Sequence, residues 1–504
     1  MKKRIIATIM AGVMTLSMLA GCGQEEKTPS TSSSQKVEST SPSSEEKVES
    51  TAKEETPKEP VKVTWYMYGK PQEEHDLVME DLNKKLREKI NVEMELVQIP
   101  TGEYNEKMKL YSTSGDKYEM CWTSNWVNTF ESNMSRGAFM ALDDLLKEYG
   151  QGILEQCPDW LLDMGKVNGV QYAIPNLQIV GKGFSFYIQK KYADEYGWDK
   201  EIVNSYEEIY PFLDWIKEKY PDVVPLSADG AEGYPVKYEA LGDHLVYSIK
   251  DGNIQAGIVS EYGIRTKKDL YDKGYVREDI ATVTSPNGDR NTGRYAVIYA
   301  AGKPGGETQG PSSWGGEYIQ VRVGEKRYIT ATTGQATMTA FNINADQPEA
   351  AMKLLNLMWT DKEIFNELLF GLEGVHYKKT GENTVELIEG SKYYYGGNAW
   401  KYANQFNAWT IPTQSPTVWE ETEALNNSAE VSPIVGFVPD FSEYQTIIAQ
   451  LNSVSKEFSG GYYDTDDVDA WFKERNEKYY AAGLQTLVDG VQAQLDAWKK
   501  ANNK

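Results

Sequence analysis

Val61-Lys62-Val63-Thr64-Trp65-Tyr66-Met67 alternates polar and apolar positions, is rich in β-formers, and is stopped by Gly69-Lys70-Pro71. It predicts a strand. From Glu73 to Lys89 the period changes: Leu77, Val78, Leu82, Leu86 and Ile90 recur at helical spacing. Val92 to Ile99 alternates again and ends at Pro100, Glu103 to Tyr111 reads as a short helix, and Tyr118-Glu119-Met120-Cys121-Trp122 as a third strand. Strand, helix, strand, helix, strand is the order of a parallel sheet with helices on its faces, an α/β fold.

Ligands of such sheets lie outside the carboxyl ends of the strands. The residues there are Tyr66, Tyr68 and Lys70 after the first strand, Pro100 and Thr101 after the second, and Thr123, Asn125 and Trp126 after the third. Further along, Asn168 to Asn176 reads as a hairpin turn and strand, and Phe184 to Ile188 as a strand leading into a helix over Lys190 to Tyr196. Ser205 with Glu208 reads as a capping box opening an amphipathic helix to Lys219. Tyr295 to Ala300 reads as a strand, Gly302 to Gly316 as a loop containing Trp314, Pro348 to Leu369 as helix, and Val468 to Trp498 as two helices parted near Gly483.

The first residues bear on the compartment. Lys2, Lys3 and Arg4 precede an apolar run, Ile5 to Met18, that is too short to span a bilayer. With Leu19-Ala20-Gly21-Cys22 it forms a secretory signal over residues 1–21 whose end resembles a bacterial lipobox. That resemblance implies cleavage before Cys22 and a lipid on its thiol, placing the chain on the extracellular face of the cell membrane. Residues 22–60 are rich in Ser, Thr, Glu, Lys and Pro and lack aromatics, so they bury too little apolar surface to fold. A flexible tether of that length averages about 34 Å end to end.

About 440 residues remain, more than one compact core usually holds, which argues for two lobes. The net charge of −23, made more negative by loss of the three signal cations, opposes contact with nucleic acid or anionic lipid. Cys121 and Cys157 are close enough in type and compartment to pair, although Cys121 also reads as a core residue. His75, His244 and His376 match no zinc spacing. Asp464, Asp466, Asp467 and Asp469 are similar to a calcium loop, but Val468 stands where an oxygen ligand belongs, so Asp466 or Asp467 is expected to cap the following helix. No cofactor or metal site is expected.

Three motifs carry a family resemblance: Val63-Thr64-Trp65-Tyr66, the run Val167 to Pro175, and the run Asn344 to Leu355. Gly371-Leu372-Glu373-Gly374-Val375-His376-Tyr377, Asn404-Gln405-Phe406 and the ending Gln492 to Trp498 extend it. In their order and spacing the chain resembles extracellular solute-binding proteins of the carbohydrate-importer family that includes maltose-binding protein, in the branch of large lipoproteins with a C-terminal domain of unknown function. The resemblance implies a two-lobed, periplasmic-binding-protein-like (Venus flytrap) α/β fold. It implies a hinge, crossed near Pro175 to Phe184 and again between Tyr328 and Phe341, and an interlobe cleft that closes on ligand. Lobe 1 is expected over 61–180 with a return near 330–375, and lobe 2 over 181–330 with 376–504 largely joining it. It further implies delivery of the solute to an ABC permease driven by a cytoplasmic ATPase, by a monomer that is not an enzyme.

A sugar suits this surface. Pyranose faces stack on aromatic rings, and amides and carboxylates bond the hydroxyls. Aromatics make up 12% of the chain, with 13 Trp and 33 Tyr. Candidate stacking residues are Tyr68, Trp122, Trp126, Trp314 and Phe437; candidate hydroxyl partners are Asn125, Asn176, Gln178, Glu373 and Asn404. Each aromatic also fits an ordinary packing position, and Glu373 with His376 also fits a structural turn. A peptide or another polar solute is the main alternative ligand. A lipid-anchored glycoside hydrolase would need a carboxylate pair, and no nucleophile, zinc or phosphate-loop motif accompanies the acidic residues. An adhesin or sensor on the same fold would bind solute without a permease.

Overall fold

The computed structural model describes residues 59–504 apart from 182, 228–237, 243, 258–260, 283–288, 291, 308–313, 325–327 and 503. The signal segment, Cys22 and nearly all of the tether lie outside the described residues.

The opening stretch folds as its periodicity requires. Strand β1 (Val61–Tyr68) buries Val63, Trp65 and Met67, every second residue. Helix α1 (His75–Ile90) buries Val78, Met79, Leu82 and Leu86, whereas Leu77 is exposed. It ends at Asn91, whose φ of 54° is left-handed and whose N–H bonds the Arg87 carbonyl. Strand β2 (Val92–Ile99) runs parallel to β1 in register from Val61 opposite Val92 to Tyr68 opposite Ile99. Helix α2 (Thr101–Ser114) returns the chain to strand β3 (Met120–Thr123), parallel to β1 on its other side. Strands Met338–Phe341 and Ala173–Pro175 extend this sheet beyond β3, the first of them antiparallel to both neighbours.

A second five-stranded sheet runs in the order Ile202–Val203, Tyr318–Val323, Gly183–Gln189, Tyr295–Gly302, Val224–Ser227. A three-stranded antiparallel sheet follows it, from Tyr238–Gly242, Leu245–Ser248 and Asn253–Ala256. Each sheet has its own core. Trp65, Trp122, Met338, Leu355 and Trp359 belong to the first, and Phe186, Phe212, Leu213, Val297 and Val321 to the second. Leu245, Tyr247 and Ile254 of the small sheet pack against the C-terminal helices through Ile434, Leu451, Leu487 and Leu495. The two large sheets and their separate cores thus form two α/β lobes.

The segment after residue 376 divides between cores. Tyr377, Val385, Tyr393, Tyr402 and Trp409 sit in the first core, where Trp409 meets Phe370 and Tyr402 meets Trp65. Only from Ile434 onward does the chain pack on the small sheet. Sequence reading had put 376–504 largely with the second lobe; rings from Tyr377 to Trp409 are apolar surface that the first sheet and helix Lys362–Phe370 bury.

Among the described residues the chain passes between the sheets at three places: between Pro175 and Gly183, from Ile329 to Met338, and from Asn426 to Ile434. The third passage was not read from sequence. There the Asn426 Oδ1 accepts the N–H groups of Val180 and Gly181, both at 2.8 Å, and its Nδ2 donates to the Gln178 carbonyl at 2.8 Å. Gly181 permits this approach, since a Cβ there would stand 2.9 Å from the Leu425 carbonyl oxygen. Tyr328–Ile329 and Glu430–Val431 pair as a short parallel ribbon beside it.

Four local readings are refined. The carboxylate of Glu208 takes the N–H of Asn204, not that of Ser205, and the α-helix itself begins at Tyr210. Pro348–Leu369 is two helices, broken at Asp361, which caps the second through the N–H groups of Glu363 and Ile364. Asp467 caps the helix Val468–Ala481 through the Ala470 N–H, and Gly483, with φ of 99°, separates it from the last helix. Cys121 and Cys157 are both free and buried, and burial pushes each thiol up to about 12.

Candidate functional site

The carboxyl ends of β1 and β3 bring four large rings together. Tyr68 stacks on Trp122 with centroids 5.0 Å apart and planes inclined by 21°. Trp126 stands edge-on to both, at 5.5 Å from Tyr68 and 5.4 Å from Trp122. Trp400, from the short helical turn Gly396–Lys401, closes the group at 6.3 Å from Trp122 and 6.5 Å from Trp126.

The rings play different parts. Trp122 is fully buried, its Nε1 donating to the Thr337 Oγ1 at 2.8 Å, so it supports the group from beneath. Trp126 is 48% exposed. It rides on a tight turn after β3, in which the Ser124 Oγ accepts the N–H groups of Trp126 and Val127 and Asn128 adopts a left-handed φ of 48°. Its Nε1 donates to the Ala336 carbonyl at 2.9 Å, which fixes the indole plane while leaving much of it open. An exposed ring held by its own polar atom is a rigid apolar platform.

Beneath Trp400 lies Lys401. The residue is only 7% exposed. Its Nζ donates to the Tyr68 carbonyl at 3.1 Å and lies 4.7 Å from the Tyr68 ring centroid and 5.3 Å from that of Trp400. Burial lowers its pKa to about 8. Just beyond it, Ala403 holds a φ of 26°, uncommon for alanine, while its carbonyl accepts the Leu177 N–H at 2.9 Å.

Two of the amides expected at the sugar hydroxyls, Asn176 and Asn404, are committed to the protein. The Asn176 Nδ2 donates to the Thr337 Oγ1 at 2.8 Å and the Lys401 carbonyl at 2.7 Å. Gln178 is buried, and its backbone carbonyl accepts from the Asn426 Nδ2. Asn404 caps the turn Gln405–Asn407 through the Phe406 N–H, and its Nδ2 donates to Gln156. Asn125 differs: its backbone N–H bonds the Gln335 carbonyl, while its enclosed Oδ1 has no partner among the described residues.

The remaining candidates stand elsewhere. Trp314 packs against Tyr187 at 5.1 Å and Tyr318 at 5.6 Å on the second sheet. Phe437 is buried in the third core, 5.8 Å from Trp498. Both Phe437 and Trp498 line a cleft of about 1780 Å³, whose other side carries Met134, Asp163 and Asn168. Glu373 is exposed beside a separate cavity of about 470 Å³ with Asp81, Lys85 and Glu367. His376 performs the turn-fixing role foreseen for it: its Nδ1 accepts the Leu372 N–H at 2.8 Å, which leaves Nε2 to donate to Glu74 at 3.1 Å. Sequence reasoning missed Trp400 and Lys401, although a Trp-Lys pair four residues before the chosen Asn404 was a usable signal.

Residues 433–500 match the family model described as a domain of unknown function, DUF3502. Over 466 residues, 87% of this chain and 91% of the relative, the sequence is 26% identical to a carbohydrate ABC transporter substrate-binding protein of Streptococcus pneumoniae serotype 4. The crystal structure of the N-glycan transport solute binding protein NgtS from Streptococcus pneumoniae superposes with a TM-score of 0.79 at 23% identity, covering 88% of this chain and 100% of that one. Its complex with Man5GlcNAc gives 0.69 at 24% identity, covering 88% and 99%.

Proposed function

We propose that this chain, similar in sequence to a carbohydrate ABC transporter substrate-binding protein along most of its length, is the substrate-binding lipoprotein of an ABC importer. It captures an extracellular oligosaccharide by hinge closure and delivers it to a membrane permease coupled to a cytoplasmic ATPase. The observation that carries this reading is the Trp126 platform, open and rigidly held at the carboxyl end of the first sheet. The ligand class follows from the relatives: glycans built from mannose and N-acetylglucosamine, as in the NgtS complexes.

Within this reading Tyr68, Trp122, Asn125 and Trp126 form the first-lobe wall of the ligand site, with Trp122 acting through the rings above it. Asn176, Gln178 and Asn404 hold the loops in place. Trp314 and Phe437 reach ligand only if it extends toward the second lobe, and Glu373 lies with the structural turn. Lobe 1 takes 61–180, 330–375 and the stretch to about residue 425, and lobe 2 takes 181–330 with the C-terminal helices. The chain acts as a monomer and transforms no substrate. Cys22 carries the lipid that keeps it on the outer face of the membrane.

Thermal unfolding of Gln24–Lys504 against mannose and N-acetylglucosamine oligosaccharides, with peptides alongside, tests the assignment. A glycan at about 100 times its dissociation constant should stabilise the fold by about 2.7 kcal/mol. A shift with peptides alone would keep the transport role and remove the sugar; release of sugar products would make the protein a hydrolase. For the anchor, Cys22→Ala should move the protein from the membrane fraction to the medium with ligand affinity unchanged.

A further inference from the structure

Lys401 is the unusual member of the aromatic group. A lysine ammonium carries three donors, and among the described residues one acceptor, the Tyr68 carbonyl, is within hydrogen-bonding distance. The ring faces of Tyr68 and Trp400 lie 4.7 and 5.3 Å from its Nζ. The ionisable groups in the ring and hydrogen-bond contacts around it are Tyr68 on β1, Tyr104 on α2 against Tyr68, and Tyr395 and Tyr402 in the same stretch as Lys401; the exposed Lys70 follows β1. Among the described residues no carboxylate is paired with the ammonium, and desolvation alone accounts for its depressed pKa.

Burying a cation without a counter-charge is unfavourable, and natural cores avoid it. A methionine would fill the same volume without that cost. The position of Lys401 gives the charge a use. Its Nζ lies against two rings, Tyr68 and Trp400, that flank the exposed Trp126. A pyranose lying on Trp126 presents its hydroxyl and ring oxygens at its rim, and Tyr68 and Trp400 border that indole at 5.5 and 6.5 Å between ring centroids. In that low-dielectric setting a charge-assisted hydrogen bond is about twice as strong as a neutral one.

We propose that Lys401 is a specificity-determining residue of the binding site, whose ammonium donates a charge-assisted hydrogen bond to an oxygen of the saccharide stacked on Trp126. This rests on the oligosaccharide reading above. Ligand oxygen then supplies the acceptor the protein leaves out, and bound ligand holds the proton on Lys401. Capture of the sugar is therefore coupled to protonation of a single lysine near neutral pH.

Calorimetric titration of the native chain with Man5GlcNAc at pH 8, in buffers of different ionisation enthalpy, reads that coupling directly. The expected result is uptake of up to about half a proton per glycan bound, with affinity falling as the pH rises from 7 to 9.5. Lys401→Met should abolish the uptake, flatten the pH profile and weaken binding at pH 7 by about 10- to 100-fold. Glycan binding without proton uptake by the native chain would overturn the proposal, as would uptake that survives in Lys401→Met. If the variant does not fold, the native chain's uptake and pH profile decide alone. Failure of the oligosaccharide reading looks different: the native chain would then bind no glycan at any pH.

Discussion

Two aromatic groups, one on each large sheet, use the same residues for different ends. On the second sheet Trp314 meets Tyr187 and Tyr318 edge-to-face, and Tyr187 spends its hydroxyl on the Ala301 carbonyl, so the rings mainly cover one another. On the first, Tyr68, Trp122 and Trp400 surround Trp126, which remains 48% exposed although its Nε1 is bonded. Composition is alike at the two places. What separates a packing cluster from a platform is whether the polar atom of the outermost ring is anchored by a neighbouring segment while its face stays in water.

Substitutions that treat the two groups alike break or sharpen this contrast. The largest effect is expected from Trp126→Ala: glycan affinity should fall at least about 100-fold with the unfolding midpoint nearly unchanged, measured by calorimetry and thermal melts on one preparation. Asn426→Ala, at the passage both sheets share, should do the reverse. It leaves the N–H groups of Val180 and Gly181 without their acceptor and should cost about 2–4 kcal/mol in urea unfolding. For Lys401, the unfolded chain keeps the proton from about pH 8 to 10.5 while the folded chain does not. Stability should therefore rise with pH across that window, by about 1–2 kcal/mol between pH 7 and 9.5 relative to Lys401→Met. The smallest effect is expected from Trp314→Ala, less than about fivefold in affinity; a loss equal to that of Trp126→Ala would make the two clusters equivalent partners.

The first sheet was legible because its strands announce themselves by local period: Val63, Trp65 and Met67 point one way, and Gly69-Lys70-Pro71 ends the run. Trp126 was legible for a related reason, since it follows a strand whose carboxyl end faces ligands in parallel sheets. Lys401 was not. Nothing within a few residues of it says that Tyr68, more than 300 positions earlier, supplies its acceptor. The amides show the converse. Asn176 and Asn404 are the right chemical type near the right place, but Thr337, Lys401, Phe406 and Gln156 already occupy their hydrogen-bonding atoms. Satisfaction of a polar group is a tertiary property, and the third passage at Asn426 escaped notice on the same ground: its partners at 178–181 are remote in sequence.

The bond from Trp126 to Ala336 ties the most open indole of the aromatic group to the very segment, Ile329 to Met338, that passes between the sheets. An indole's emission depends on the polarity around its face and on the hydrogen bond of its nitrogen. Any rotation about that segment must alter one or the other. In a variant that keeps Trp126 as its one tryptophan, the emission of that indole would therefore gauge rotation about the segment.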